Sequence, residues 1–436
     1  MNRARSRPLD LGLRISDGPR TPDGPRTQDT APPLHSTSPL SEGRATLIAG
    51  AAFFINVLDF MIVMPLGPFF APALGIPEAQ LGWVGGAYTF AAAAAGLGAS
   101  FMLDRMSRRS ALMVTLGGLT AATLAGAFAW DFTSMLAARV MAGAFAGPAA
   151  GVAIALLSDA VPPQRRGRAM GRAMIAFSIS AVLGVPAGLW LATLGGWQAP
   201  FVAVAGLGAV VAAFSVASLP RRMAAGPDPI RAQRLSDWGL MKDPIAILAL
   251  VCSSLIMFSG FSIIPNIPSF LVKNVGIDPG GLGPLYAAGG AVSVITLLVV
   301  GPLVDRFGAV RMATAGTLVF LGTLFAMFGA ATPLMAPWAI FVFFMMGMGV
   351  RNITNQTLGS KVPPPRARAG FQSVNTAAQQ FASGLGAVAS TRLLHSGEGG
   401  RLIGLDKVAA ISAAAAFLYP IFTGMLERAV KARGEH

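Results

Sequence analysis

The sequence predicts an all-α membrane protein of twelve transmembrane helices in two six-helix halves, and three observations carry that prediction. Hydrophobic residues make up 54% of the 436 positions and charged residues only 12%, a balance that domains with ordinary water-facing surfaces do not reach. Apolar runs of about 20 residues, the length a helix needs to cross a bilayer, recur along most of the chain. Two loop sequences also recur one half apart, as in membrane bundles built from internal repeats.

The first 44 residues are rich in Pro, Ser, Thr, Gly and Arg, and repeat Asp17-Gly18-Pro19-Arg20-Thr21 as Asp23-Gly24-Pro25-Arg26-Thr27. A segment this polar cannot bury a core, so 1–44 is expected to be a disordered tail. It has no apolar h-region of its own, and the run beginning near Ala45 therefore reads as a retained span, not a cleaved signal. Spans follow near 46–68, 80–103, 110–130, 133–157, 171–193, 198–219, 244–271, 281–304, 310–330, 335–358, 370–392 and 408–428.

Charge alternates between the loops. Arg105, Arg108 and Arg109 follow the second span, Arg165, Arg166, Arg168 and Arg172 the fourth, and Arg221, Arg222, Arg231, Arg234 and Lys242 the sixth. Arg306 and Arg311, then Lys361, Arg366 and Arg368, then Arg428, Lys431 and Arg433 continue the series, while the intervening loops are nearly bare. Positive loops stay on the cytoplasmic side, which predicts a multi-pass protein of a bacterial-type inner membrane with both termini cytoplasmic. The same pattern accounts for the net charge of +14 without a nucleic-acid partner, because the basic residues lie between apolar runs.

The longest internal polar stretch, 220–243, divides the membrane region into halves at 45–219 and 244–430, with 431–436 as a C-terminal tail. Asp104-Arg105-Met106-Ser107-Arg108-Arg109 follows the second span, and Gly301-Pro302-Leu303-Val304-Asp305-Arg306-Phe307-Gly308 follows the eighth. Pro162-Pro163-Gln164-Arg165-Arg166-Gly167-Arg168-Ala169 after the fourth span is echoed by Pro363-Pro364-Pro365-Arg366-Ala367-Arg368-Ala369-Gly370 after the tenth.

On these loops, over about residues 45–430, the chain resembles the major facilitator superfamily, whose 2–3 loop has the form G-x-x-x-D-R-x-G-R-R and whose 8–9 loop carries a weaker copy. Ser100 and Ser107 stand where that pattern has glycine, while Asp104, Arg105, Arg108 and Arg109 match. The resemblance implies a conformational gate built from Asp104, Arg105, Arg108, Asp305 and Arg306. An acidic residue at one helix end can meet a neighbouring helix dipole and nearby arginines as a latch. The alternative is that the arginines only set topology.

Span 4 contains Arg139-Val140-Met141-Ala142-Gly143 and then Gly147, similar to the family's arginine-and-glycine motif there. An arginine inside a span costs about 2.5–3.5 kcal/mol on insertion scales unless a partner or cavity receives it. Asp59 in span 1 is the candidate partner. At about 1.5 Å per residue both groups lie roughly 10 Å from the outer edge of the hydrocarbon core. Such a pair offers a carboxylate whose protonation responds to water access and to the distance of the arginine, as proton coupling requires; a static ion pair is the other reading.

Span 5 has Gly184-Val185-Pro186-Ala187-Gly188, similar to the glycine–proline signature of the family's antiporters but with Val185 inserted. Close packing and a proline kink explain it equally well. Polar residues within apolar runs outline a candidate substrate cavity: Asn56, Tyr88, Asn266, Tyr286, Asn375 and Gln379, the last two sharing one helical face with Gln372. Arg351, Asn352, Asn355 and Gln356 in span 10 read as gating or packing residues.

The sequence holds no G-x-x-x-x-G-K-[ST] phosphate loop, no histidine-rich metal spacing and no nucleophile elbow, and its one cysteine, Cys252, lies in an apolar run. No cofactor and no enzymatic activity are expected. The resemblance implies a secondary transporter, expected as a monomer that uses protons to export a small organic solute. Proton-coupled uptake and a non-transporting sensor or scaffold on the same fold are the alternatives.

Overall fold

The computed structural model describes residues 40–98, 106–220, 242–329, 333–364 and 368–434. In chain order its long helices are α1 (Glu42–Val63), α2 (Leu81–Gly98), α3 (Arg108–Ala127), α4 (Phe132–Ala160), α5 (Gln164–Gly195) and α6 (Gln198–Ser218). There follow α7 (Pro244–Asn274), α8 (Leu282–Phe307), α9 (Ala309–Phe328), α10 (Pro337–Gly359), α11 (Arg368–Leu393) and α12 (Leu405–Gly434). Among the described residues nine of these, all but α2, α10 and α11, are long and apolar enough to cross a bilayer. The last two carry Arg351, Asn352, Asn355 and Gln356, and Gln372, Asn375 and Gln379, which lower their hydropathy.

The outer face of the bundle is apolar: Leu298, Leu194 and Phe325 keep about two thirds of their surface exposed (71%, 67% and 66%). Water would penalise that surface and hydrocarbon does not. Several helices start on side-chain caps. Ser107 accepts from the Ser110 amide at 3.1 Å and Asp131 from the Ser134 amide at 2.7 Å, satisfying donors that a helix start leaves open. The hydroxyl of Ser107, where the family pattern has glycine, is thus used as the α3 cap.

Three helix ends reach well beyond the expected spans. The helical turn that opens α5 begins at Pro163, one residue before the range given above and not near 171, because proline is pre-organised for the first helical position and the arginine-rich stretch continues it. The first helix starts at Glu42, inside the expected tail, on a Ser41 cap. The last runs to Gly434 through the expected C-terminal tail, supported by a Glu427–Lys431 pair at i,i+4 spacing (2.9 Å). Most of the expected 220–243 linker lies outside the described residues.

Helix packing repeats between the halves. In the first, α1 packs on α4, α5 and α6, and α4 on α2 and α3; in the second, α7 packs on α10, α11 and α12, and α10 on α8 and α9. The pairs α3–α6 and α9–α12 match as well. Glycines set the closest approaches. A Cβ on Gly143 would stand 2.1 Å from the Tyr88 carbonyl oxygen, so α4 can touch the backbone of α2 only with glycine there.

Between the halves, α2 packs on α11 and α5 on α8. Phe90 and Phe381 meet edge to face at 5.3 Å, and Phe60 of α1 meets Phe261 of α7 at 5.7 Å. Two hydrogen bonds join the halves at the end opposite the arginine-rich loops: the Ala79 amide to the Ser396 hydroxyl at 3.3 Å, and the Ser269 hydroxyl to the Glu78 carboxylate. The bundle is therefore held shut at that end.

Candidate functional site

The most concentrated buried chemistry lies where α1, α2, α3 and α4 converge. Asp59 and Arg139 are both buried (0% and 1% exposed). Arg139 donates from Nη1 to both carboxylate oxygens of Asp59 at 3.3 Å, and from Nη2 to the Asp59 carbonyl oxygen at 3.5 Å. The Thr123 hydroxyl donates to Asp59 Oδ1 at 2.7 Å. The guanidinium lies 4.5 Å above the Tyr88 ring, which stacks on Phe60 at 5.3 Å.

Two local features place these groups. The Gly143 contact brings α4 against Tyr88, so Arg139, one turn away, lies on that ring. On the other flank α5 contains a π-turn at Ser180–Gly184, followed by Pro186, which lacks an amide donor. Gly184 and Gly188 then sit directly on Leu58 and Ile62, either side of Asp59. The glycine–proline stretch of span 5 thus packs α5 onto the helix that carries the carboxylate.

The pair is loose. Charge-assisted N–H···O bonds run near 2.7–2.9 Å, and those from Nη1 are 3.3 Å. Arg139 Nε and the Tyr88 hydroxyl have no hydrogen-bond partner among the described residues. Each unmet buried donor costs about 1–3 kcal/mol, so this ion pair does not reach the stability of a fully bonded one.

The remaining cavity candidates each make contacts of their own. Asn56 donates to the Ala146 carbonyl oxygen at 2.6 Å and ties α1 to α4. Asn266 is buried in the second half and donates to the Ser262 carbonyl oxygen and the Ser390 hydroxyl, both at 3.0 Å, linking α7 to α11. Tyr286 packs on Phe341 at 4.8 Å. Asn375 is buried with its amide oxygen unpartnered among the described residues, and Gln379, one turn on, is half-buried. Only Tyr88 joins Asp59 and Arg139.

Among the gate candidates, Asp104 and Arg105 lie outside the described residues. Arg108 is buried and donates from Nε to Asp159 at 2.7 Å, tying the start of α3 to the end of α4. Asp305 makes no hydrogen bond or ion pair among the described residues, and Arg306 lies 5.2 Å over the Phe307 ring. The acid that meets a helix start here is Glu427 of α12, which accepts from the Val310 amide at 3.2 Å. Asp305, Arg306, Arg311, Lys361, Glu427 and Lys431 line a cavity of about 650 Å3 at this end.

Sequence reading missed Thr123 and Glu78, and it left Arg351 between gating and packing. Thr123 looks like any hydroxyl in an apolar helix. Arg351 is completely buried, bonded to Ser259 at 2.7 Å and placed 4.5 Å over Phe320; it packs α7, α9 and α10 together. Glu78 is an acid at a helix start, a position normally explained by the helix dipole alone.

The family model for the Major Facilitator Superfamily matches residues 49–387. The chain belongs to that superfamily. Among curated relatives, a chloramphenicol resistance protein of Streptomyces lividans is 29% identical over 286 residues, covering 63% of this chain and 70% of the relative. An inner membrane transport protein of Escherichia coli O157:H7 is 24% identical over 363 residues, covering 81% and 89%. A bacterial homolog of the human lysosomal transporter Spinster, solved inward-facing and unoccupied, superposes with a TM-score of 0.72 at 17% identity, covering 89% of this chain and 97% of that one. This major facilitator is a multi-pass membrane transporter and not an enzyme.

Proposed function

We propose that this major facilitator exports a small organic solute in exchange for protons, by alternating access, with its termini and arginine-rich loops in the cytoplasm. The observation that carries the reading is Asp59: a carboxylate buried in mid-bundle, held at 3.3 Å by Arg139 and at 2.7 Å by Thr123. A carboxylate so placed is costly when its partner moves away, and taking up a proton relieves that cost. Proton occupancy and helix arrangement are then linked, which is the requirement for using a proton gradient. The sequence supplies no nucleotide-binding loop as another source of energy. Export is supported by the relative named for chloramphenicol resistance, since a membrane carrier that protects a cell lowers the compound inside it.

Orientation rests on the arginine-rich loops, which makes the closed end the outer one. Asp104, Arg105, Arg108, Asp305 and Arg306 belong to the cytoplasmic gate, and the substrate pathway runs between the halves past Tyr88, Asn375 and Gln379. Accumulation of a panel of organic compounds in cells with and without the protein tests the reading. At least one compound is expected to be held several-fold lower in cells with the protein, and collapse of the proton gradient should erase the difference. A compound held higher in those cells would reverse the direction to uptake.

A further inference from the structure

At the closed end the two halves meet through a buried carboxyl group. Glu78 lies in a single helical turn, Glu78–Gln80, between the first two long helices, and is 5% exposed. Its carboxylate accepts from the hydroxyl of Ser269, itself 1% exposed, on α7 of the other half. Next to it the Ala79 amide donates to Ser396 in the short hairpin His395–Ser396 and Leu402–Ile403. That hairpin is fixed to α7 by Asn274, whose amide donates to the Leu402 carbonyl oxygen and accepts from the Leu402 amide, both at 2.9 Å. Gly400, at φ 77°, brings the hairpin tip against Glu78 and Lys273: a Cβ there would stand 3.6 Å from a side-chain carbon of each.

We propose that Glu78 is a positioning residue of the transport cycle, a proton-operated latch that holds the halves together at the outer end when protonated and releases them when charged. The proposal rests on the orientation and proton-coupled export argued above. Its physical basis is the placement of a carboxyl group in a seam that must open to water for the outer end to open. Burial raises its proton affinity above that of an ordinary glutamate, and the Ser269 hydroxyl and Lys273 ammonium, which favour the charged form, do not offset that. Other charged or titratable groups on elements packed there are Arg392 on α11 and His395, Glu398 and Arg401 in and around the hairpin, all exposed. The short helix Gly67–Ala73 contributes none, and α2 contributes only Tyr88, which lies against the Arg139 guanidinium.

The sign follows from linkage. Opening the seam hydrates Glu78 and returns its proton affinity to the ordinary range, so the closed arrangement binds the proton more tightly. Falling outer pH therefore favours closure, and rising pH favours opening. The proton comes from the outer medium and returns there when the latch opens; it is not carried across. For an exporter driven by outside acid, that closes the outer end after solute release.

A distance measurement tests this without solute or gradient. Spin labels on Gln80→Cys and Ile403→Cys, both exposed positions on opposite halves, in a Cys252→Ser background and lipid nanodiscs, report the outer seam. The short-distance fraction is expected to fall at least about threefold between roughly pH 5 and pH 8. Glu78→Gln should stay short throughout, and Glu78→Asp should still switch. Ser269→Ala, which loses a bond favouring the charged form, should move the transition to higher pH. A Glu78→Gln protein with the parent's pH profile overturns the proposal, as does a parent that ignores pH. Where Glu78→Gln does not fold, unmoved midpoints in both Glu78→Asp and Ser269→Ala overturn it. Asp59→Asn should keep the switch, so a failure of proton-coupled export, seen only in transport assays, stays separate; loss of the switch in Asp59→Asn would overturn Glu78 as its origin.

Discussion

Asp59→Asn is expected to reduce proton-driven transport to background while leaving solute exchange measurable. The amide is the size of the protonated acid and can still accept from Thr123, so the local packing of α1, α3 and α4 should survive. It cannot take up or release a proton, which removes the linkage between proton occupancy and helix arrangement. Exchange of labelled for unlabelled solute across proteoliposomes needs no net proton movement and is therefore expected to continue. Full gradient-driven transport by a well-inserted Asp59→Asn protein would assign the pair a static structural role and move the coupling elsewhere.

Gly82→Val is expected to have an effect of similar size through geometry alone. Gly82 lies at the start of α2, at the closed end of the bundle, and a Cβ there would stand 2.2 Å from the Ala387 carbonyl oxygen and 2.7 Å from a Thr391 methyl on α11. The first of these is backbone and cannot swing away. Reaching ordinary van der Waals contact requires the two helices to part by roughly 1 Å or more. Because this contact lies between the halves, the folding of each half does not depend on it, and the variant should insert and express. It should be unable to close its outer end, so both proton-driven transport and exchange are expected to fall to background. Retention of either activity near the parent level would show that α2 and α11 need not meet there during the cycle. The contrast with Asp59→Asn, which spares exchange, separates a lost proton site from a blocked motion.

The bundle was legible because lipid reduces the problem to a few strong signals: long apolar runs, arginines on alternate loops, and two loop sequences that recur. Asp59 and Arg139 could be paired by arithmetic, since depth in a membrane follows from helical rise. The contact between Gly143 and Tyr88 that aims the arginine was only hinted at by the glycine spacing. Helix ends were less legible, because the arginine-rich start of α5 and the charged end of α12 stay helical outside the hydrocarbon, where hydropathy no longer reports on them. Polarity alone groups Asn266 and Tyr286 with a cavity; that they meet Ser390 and Phe341 is not legible in the sequence, since no periodicity reveals which neighbour a helix face will find. Glu78 and Ser269, 191 positions apart, were out of reach for the same reason. At the second gate loop, Glu427 rather than Asp305 meets the α9 start, because α12 ends beside it.

Proton movement driven by a solute gradient addresses the central claim most directly. In proteoliposomes loaded with a transported solute and a pH-sensitive dye, dilution into solute-free buffer makes the solute leave through the protein in either orientation. Exchange for protons predicts that the lumen acidifies as solute leaves, and that Asp59→Asn abolishes the acidification. A lumen that turns alkaline would mean that solute and proton travel together, and a lumen that does not change while solute leaves would contradict proton coupling altogether.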